Sequence, residues 1–241
     1  MKFNINSTGY VFGFAAVVCI VCGVLLSAVS EGFREKQELN FDLDIKKNIL
    51  KAVVLKEPIP AQAKGPDVLK VYENKIEEVV IDKDGNVVEG IKPKDIKGKE
   101  GLFPLYIYRE DEEVVSYAFP IVGQGLWSTL YGYLALEGDA VKVRGITFYK
   151  HGETPGLGAE IEKEWFQNNF KGKTIYSLEK KALTPIIVVK GKAANHAQGE
   201  ALNHAVDGIT AATITGNGVT EMLDRTLRLY EPYFSKVRKI S

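Results

Sequence analysis

The sequence predicts an α+β protein, in which a single N-terminal transmembrane helix is followed by an α+β domain with an antiparallel sheet. An uncharged apolar stretch runs from Gly9 to Ser30, and runs rich in β-branched and aromatic residues follow one another between 104 and 150. A helical apolar pattern then closes the chain. The 241 residues are otherwise of ordinary composition, 26% charged and 45% hydrophobic, so we expect one folded domain on a membrane tether.

The apolar stretch is long enough to cross a membrane. As a helix it would span about 33 Å, and a hydrocarbon core is about 30 Å thick. A cleaved signal peptide is the alternative, because Ala28-Val29-Ser30 resembles a cleavage site, but such peptides have shorter apolar regions of about 7 to 15 residues. We therefore predict an uncleaved anchor over residues 1–30. The Lys and Arg residues near its ends leave the side of the domain open.

Residues 31–65 are predicted to form an amphipathic stalk and a linker, and residues 66–241 the domain. The stalk carries apolar residues at helical spacing among charges: Phe41, Ile45, Ile49, Leu50 and Val53. Two prolines between 56 and 65 then break the helical pattern.

The sheet is predicted to be an antiparallel meander. A short helix after Pro66 leads into a strand at 79–82, where Asp84-Gly85 is a hairpin signal. Four more strands are predicted, at 104–109, 114–120, 129–136 and 141–149. The glycine-rich loop at 123–128 is too long for a tight hairpin, so we expect it to carry function.

After the meander, the sequence predicts two helices and, between them, one buried strand at 185–189. A helix at 160–169 is expected to bury Ile161, Trp165 and Phe166. The last helix has a long apolar face, formed by Val219, Met222, Leu223, Thr226, Leu227 and Tyr230.

Several classes of function lack support in the sequence. The 31 basic and 31 acidic residues balance, which gives no electrostatic footprint for nucleic acid. Phosphate-loop, zinc-protease and serine-hydrolase motifs are absent, and Gly156-Leu157-Gly158 lacks the third glycine of a dinucleotide fingerprint. The three histidines lack metal-ligand spacing, so we predict no metal site. Cys19 and Cys22 exclude a disulfide framework; we favour packing in the membrane helix over iron ligation.

Two segments are chemically suggestive. Glu153 beside His151 suits acid-base chemistry, but such a pair at a strand end more often anchors a loop by hydrogen bonds. Asp207 to Thr215 places hydroxyl and small residues at the entry to a helix, where the free N–H groups favour a phosphate. Simple helix capping by Thr215 or Asn217 is the alternative.

The segment from Asp207 to Thr213 resembles the D-G-x-[ST]-G-A-T motif of FMN-binding domains, in which the flavin phosphate is esterified to the last threonine. The resemblance implies that Thr213 carries covalent FMN, and that Asp207 and Thr210 belong to the part of the motif read by a flavin transferase. Ala211 stands where the motif usually has glycine.

Two related membrane proteins share this motif: the C-type protein of the sodium-pumping NADH:quinone reductase (Nqr) and the G-type protein of the Rnf complex. Both also carry a segment similar to His151-x-Glu-Thr-Pro-Gly-Leu-Gly. The segment Gly125-Leu-Trp-Ser, followed by residues 131–136, resembles the Nqr signature more closely. The chain is therefore identified as a member of the C-type Nqr family, with the Rnf protein as an alternative.

The resemblance implies a flavoprotein that relays electrons through FMN within a sodium-translocating oxidoreductase, which passes electrons from NADH to a quinone. It implies five partner subunits, a single-pass location in the inner membrane and a periplasmic domain. No residue is predicted to be catalytic by itself, so the chain would be an enzyme only as part of its complex. The competing hypothesis is a membrane-tethered binding module with no redox role.

The flavin ring needs an apolar seat, and we expect loops 123–128 and 151–158 to supply it. Trp127 is equally interpretable as a core anchor. The predicted cofactor-binding residues are Thr213 as the attachment point, with Asp207, Thr210, Ala212, Leu126, Trp127, Glu153, Thr154, Pro155, Gly156 and Leu157.

Overall fold

The computed structural model describes residues 7–55, 65–96, 99–177 and 179–240. Its first helix, α1, spans Thr8–Ala52 and is, within those ranges, the one helix long and apolar enough to cross a membrane. Contacts divide the chain into two compact units, Met1–Asp44 and Ile45–Ser241. The predicted linker runs from Lys56 to Gly65, and its residues 56–64 lie outside the described residues. The predicted domain boundary at 66 stays a prediction.

The predicted stalk is largely continuous with the predicted anchor, because α1 has no break between them. The apolar residues at and just after the end of α1 belong to the core of the second unit: Ile49 and Val53 are fully buried and Leu50 is nearly so. The apolar residues spaced at helical intervals therefore form a packing face at the end of α1. Phe41, which lies earlier in the same helix, is exposed.

The second unit is built on one five-stranded antiparallel sheet in the order β1-β2-β3-β4-β5, which confirms the predicted sheet. Its strands are β1 (Ile76–Asp82), β2 (Leu102–Glu110), β3 (Glu113–Gln124), β4 (Thr129–Glu137) and β5 (Val143–Lys150). Each strand pairs with the next along the chain. A second helix, α2 (Gly65–Lys75), precedes β1, and an isolated bridge joins Ile81 to Val87 at the predicted hairpin.

Successive side chains of each strand point to opposite faces of the sheet, and both faces are apolar. On one face, the end of α1 and Val68 and Tyr72 of α2 pack with Tyr106, Tyr108 and Tyr133. The opposite face carries the larger core, where Tyr117, Phe119 and Ile121 of β3 meet the C-terminal helix α4 (Thr213–Ile240). Both faces of this sheet therefore bury apolar side chains, one against α4 and the other against α2 and the end of α1.

Helix α4 is anchored by aromatic contacts. The ring of Tyr230 stacks on Phe119 with centroids 4.4 Å apart, and Phe234 lies 5.4 Å from Phe119. The Tyr230 hydroxyl donates to the carbonyl of Pro104 at 2.7 Å. The position of α4 is thus set by packing on β3.

The region between β5 and α4 differs from the predictions. The predicted helix at 160–169 is a 3-10 turn, Gly158–Glu162, followed by the short helix α3 (Glu164–Asn168). This change of phase leaves Trp165 47% exposed, with its indole N–H donating to Glu160, so its predicted burial is wrong. Ile161 and Phe166 are buried as expected.

The described residues between α3 and α4 also form four two-residue strands: β6 (Tyr176–Ser177), β7 (Ala182–Leu183), β8 (Ile187–Val188) and β9 (Ala205–Val206). The predicted strand at 185–189 is reduced to β8, which pairs in parallel with β9. Because β9 leads directly into Asp207, this pairing fixes the approach of the chain to α4.

Candidate functional site

Three segments that are distant in sequence meet beside the start of α4. These are the loop after β3, the segment 151–158 after β5, and the first turn of α4. The Glu153 carboxylate joins them: its Oε1 accepts from the N–H groups of Trp127 (2.9 Å) and Ser128 (3.3 Å). Its Oε2 accepts from the Leu126 N–H (3.2 Å) and from the Thr215 hydroxyl (2.6 Å).

Glu153 is held in its ionised form by these partners. Burial raises the pKa of the carboxyl, but the bonds from Thr215 and from three backbone N–H groups outweigh burial and leave the pKa below its ordinary value. The side chain is a loop anchor, as one of the two sequence interpretations of the His151-Glu153 pair expected. The imidazole Nδ1 of His151 accepts from the Glu153 N–H at 3.2 Å.

A second link ties the loop to the segment after β5. The Gly152 N–H donates to the Ser128 hydroxyl. The loop itself closes through a bond of 2.8 Å from the Gly125 N–H to the Ser128 carbonyl. These bonds give the loop a defined shape despite its glycines.

The approach to α4 is fixed by Asp207. Its Oδ2 accepts from Lys192 Nζ at 2.7 Å, and its Oδ1 accepts from the Ala193 N–H at 2.8 Å. The Lys192 ammonium, followed by the Ala193 N–H, lowers the pKa of Asp207 below its ordinary value. Asp207 therefore binds the segment 191–193 of the same chain. The Gly208 N–H adds a bond to this segment by donating to the Gly191 carbonyl at 2.8 Å.

A tight turn separates this segment from the helix. The Ala212 N–H donates to the Ile209 carbonyl at 3.2 Å, and Ala211 has a φ of 59°. This left-handed conformation favours glycine, the residue that the FMN-binding motif usually has here. The backbone thus follows a path suited to the motif glycine, with alanine in its place.

Thr213 is the first residue of α4, and its side chain is exposed. It lines a small pocket together with residues that include Val188, Lys190 and Gly208. The N–H groups of the first helical turn have no partner within the helix and carry the positive end of the helix dipole. The start of α4 is therefore a favourable place for an anionic group. Thr210 is likewise exposed, whereas Ala212 is buried.

Large apolar side chains are exposed around this point. Trp127 is 69% exposed, Leu126 45% and Leu157 39%, so the structure contradicts the interpretation of Trp127 as a core anchor. Thr154, Pro155 and Gly156 are also exposed. Ile214, which follows Thr213 and was not predicted to take part, is 58% exposed. Exposed apolar groups in one region are typical of a ligand or partner surface.

Sequence reasoning also missed two polar contacts. Thr215 was expected at most to cap the helix, but its hydroxyl donates to Glu153 across 62 residues of sequence. Lys192 lay in no motif, yet it pairs with Asp207. Both contacts depend on tertiary structure, and no local pattern in the sequence indicates them.

The histidines have separate hydrogen-bond partners. His151 faces Glu162 at 3.4 Å, His196 faces the Lys190 carbonyl at 2.7 Å and His204 the Thr174 carbonyl at 2.7 Å. In the described part of the chain, no group of three or more His, Cys, Asp or Glu side chains is arranged to hold a metal ion.

The comparisons with known proteins first define a class. The model of the FMN-binding domain family matches residues 125–228, which include all three segments of the site from Gly125 onward. The chain is 30% identical to NqrC, the C-type protein of the Na(+)-translocating NADH-quinone reductase, of Vibrio alginolyticus, over 99% of this chain and 98% of the relative. It is 31% identical to the NqrC of Pseudomonas aeruginosa, over 91% of each chain.

Solved structures agree with these relatives. The crystal structure of NqrC from Parabacteroides distasonis matches with a TM-score of 0.71 and 31% identity, covering 84% of this chain and 96% of that one. The Shewanella oneidensis NqrC structure has a TM-score of 0.66 at 24% identity and supports the fold. The chain thus has an FMN-binding domain. It belongs to the NqrC family of the Na(+)-translocating NADH-quinone reductase.

Proposed function

We propose that this chain is the electron-carrying NqrC component of a sodium-translocating NADH:quinone reductase and that it holds FMN through a phosphoester to Thr213. The observation that carries the proposal is the position of Thr213. This residue is exposed and begins α4, and it is the last residue of a motif that lies inside the region matched by the FMN-binding domain family. The family relatives are named as subunits of this oxidoreductase.

The residues present fit FMN. A phosphate on Thr213 would lie at a helix N-terminus, where backbone N–H groups and the dipole stabilise negative charge. The exposed side chains of Leu126, Trp127 and Leu157 offer apolar surface for a flat ring. We assign Thr154, Pro155 and Gly156 to the same seat because they lie exposed beside Leu157.

The role of the protein is to fix the cofactor. FMN supplies reversible uptake and release of electrons, chemistry that no side chain of the site offers. Covalent attachment keeps it from leaving between turnovers. Glu153, Asp207 and the α4 contacts with β3 hold the attachment point and the seat loops in place. The chain has no catalytic residue of its own in this proposal.

The proposal includes a membrane setting and partners. Helix α1 serves as a single-pass anchor in the inner membrane, supported by the length and apolar character of its N-terminal part. By family resemblance, the domain lies in the periplasm, a flavin transferase attaches FMN during maturation, and five further subunits complete a translocase that reduces ubiquinone.

Colour tests the proposal. The chain produced with a flavin transferase should be yellow and should bleach on reduction, whereas Thr213→Ala should be colourless with an unchanged circular dichroism spectrum. Ser235→Ala removes a hydroxyl elsewhere on α4 and should stay yellow. A yellow, covalently labelled Thr213→Ala protein would refute the attachment point.

Two alternatives predict other outcomes. A binding module without redox function would be colourless even with the transferase present. An Rnf-type protein would be yellow but would co-purify with Rnf partners; the Vibrio and Pseudomonas relatives favour Nqr.

A further inference from the structure

Glu153 stands out within the site because its carboxylate has no capacity left for a ligand. A carboxylate offers about four lone-pair positions. The N–H groups of Leu126, Trp127 and Ser128 and the Thr215 hydroxyl supply four donors, two to each oxygen. The side chain is only 5% exposed.

Glycines on both sides of Glu153 make room for this arrangement. A β-carbon on Gly125 would lie 2.6 Å from Glu153 Oε1. A β-carbon on Gly158 would lie 2.7 Å from Glu153 Oε2 and 2.6 Å from the Thr215 hydroxyl oxygen. Any larger residue at either position would displace the carboxylate or its partner, so the close packing and the hydrogen bonds depend on each other.

The hydrogen bonds of Glu153 connect the loop 125–128 with the first turn of α4, the two parts of the site whose relative position must stay fixed. Leu126 and Trp127 belong to the seat, whereas Thr215 lies less than one helical turn from Thr213. Among the described residues, the carboxylate is thus the one group that bonds to both sides, and it does so through backbone N–H groups whose positions define the loop.

We propose that Glu153 is a positioning residue, which holds the loop 125–128 against the first turn of α4 and so fixes the seat relative to Thr213, and that it does not contact the flavin. This revises the sequence prediction that placed Glu153 among the cofactor-binding residues. The inference rests on the proposed function for its flavin consequence, whereas the connection itself consists of hydrogen bonds within this chain.

Amide hydrogen exchange of the full-length chain, produced without a flavin transferase, tests the connection. Glu153→Gln replaces an acceptor oxygen by an NH₂ group and should speed exchange among the amides of Leu126, Trp127 and Ser128 by at least about tenfold, because the donors to that oxygen lose their acceptor. Glu162→Gln, the same change at an exposed glutamate nearby, should leave them unchanged. Equal exchange in the wild type and Glu153→Gln would overturn the proposal.

Thr215 provides a second route if Glu153→Gln does not fold. Thr215→Val removes one of the four donors while keeping the side-chain shape. It should speed exchange at the Leu126 amide, because the carboxylate loses its bond to α4 and no longer holds the loop in a fixed position. Thr215→Ser keeps the donor and should behave as the wild type. Unchanged exchange in Thr215→Val would mean that the loop is held independently of α4 and would contradict the proposal.

The flavin consequence is measured separately by visible circular dichroism of the chain produced with the transferase. Glu153→Gln should retain covalent FMN but show a changed flavin spectrum, because the seat shifts relative to Thr213. A spectrum identical to that of the wild type would contradict the positioning role. If even the wild-type chain carries no flavin, the proposed function fails, while the exchange result still decides whether Glu153 connects the two segments.

Discussion

Ala211 occupies a left-handed backbone conformation with a φ of 59°, two residues before the first residue of α4. An L-residue with a β-carbon is strained there, at a cost of roughly 1 to 2 kcal/mol. The family motif usually avoids this strain with glycine. Here the turn keeps its geometry through the Ala212 N–H bond to the Ile209 carbonyl and the anchoring of Asp207.

Ala211→Gly should therefore stabilise the domain by about 1 kcal/mol, because glycine adopts the positive φ without strain. Thermal unfolding monitored by circular dichroism measures this as a higher midpoint. Ala212→Gly is the matched control: the buried Ala212 methyl would be lost, so that variant should be less stable. A lower midpoint for Ala211→Gly would show that the turn does not require a left-handed residue.

The pH dependence of stability should reveal the ionised Glu153. Its pKa in the folded protein is below the ordinary value of 4.5, so its ionised form stabilises the fold above about pH 4.5, and this contribution is lost as the pH falls through the folded pKa. Glu153→Gln should be less stable than the wild type by about 2 kcal/mol at neutral pH. Denaturant unfolding should show the difference shrinking in acid. A constant difference across pH would count against an ionised Glu153.

Among the secondary-structure elements, the sheet strands and α4 were predictable because each carries a strong period of its own. The alternating, β-branched runs gave β2 to β5 within a few residues, and the apolar stripe from Val219 to Tyr230 gave α4. The segment between β5 and α4 was not predictable in detail. There the chain makes two-residue strands and 3-10 turns, which are too short to leave a period, and Trp165 turns outward as a result.

The site was predictable in its segments but only partly in its contacts. The motif ending at Thr213 and the two glycine-rich loops were visible as local sequence. The bond from Thr215 to Glu153 and the pairing of Lys192 with Asp207 were not, because each joins residues brought together only by the folded sheet and helix.

The packing of α4 on β3 can be tested with one aromatic residue. Phe234 is fully buried against Phe119, so Phe234→Ala should destabilise the domain by about 3 to 5 kcal/mol. Leu229→Ala, on the exposed side of the same helix, should cost far less. Denaturant unfolding of both variants makes the comparison, and similar losses would mean that this face of α4 is not its anchor.

In the molecule as a whole, the boundary between the two compact units falls at Ile45 rather than at the end of α1. The last turn of α1 contributes Ile49 and Leu50 to the core on one face of the sheet, and Val53, just after the helix, joins them. Amphipathic spacing in the predicted stalk could not distinguish a solvated stalk from a packed one, because the partner surface is formed by distant strands.

Truncated chains should show how much the end of α1 contributes to the stability of the domain. A chain that begins at Ile45 keeps the buried end of α1 and should fold without detergent. A chain that begins at Gly65 lacks those apolar side chains and should be less stable by more than about 3 kcal/mol. Thermal unfolding of the two truncated chains measures the difference. Equal stability would show that the end of α1 is dispensable for the domain.

The phosphoester between FMN and Thr213 is the bond on which the proposed function depends, and peptide mass spectrometry detects it. The chain would be purified from its native membranes, or from cells that also produce the flavin transferase, then denatured and digested. We expect the peptide containing Thr213 to carry the mass of one FMN less one water. An unmodified Thr213 peptide under those conditions would contradict the proposed function and leave Thr213 as an ordinary first residue of α4.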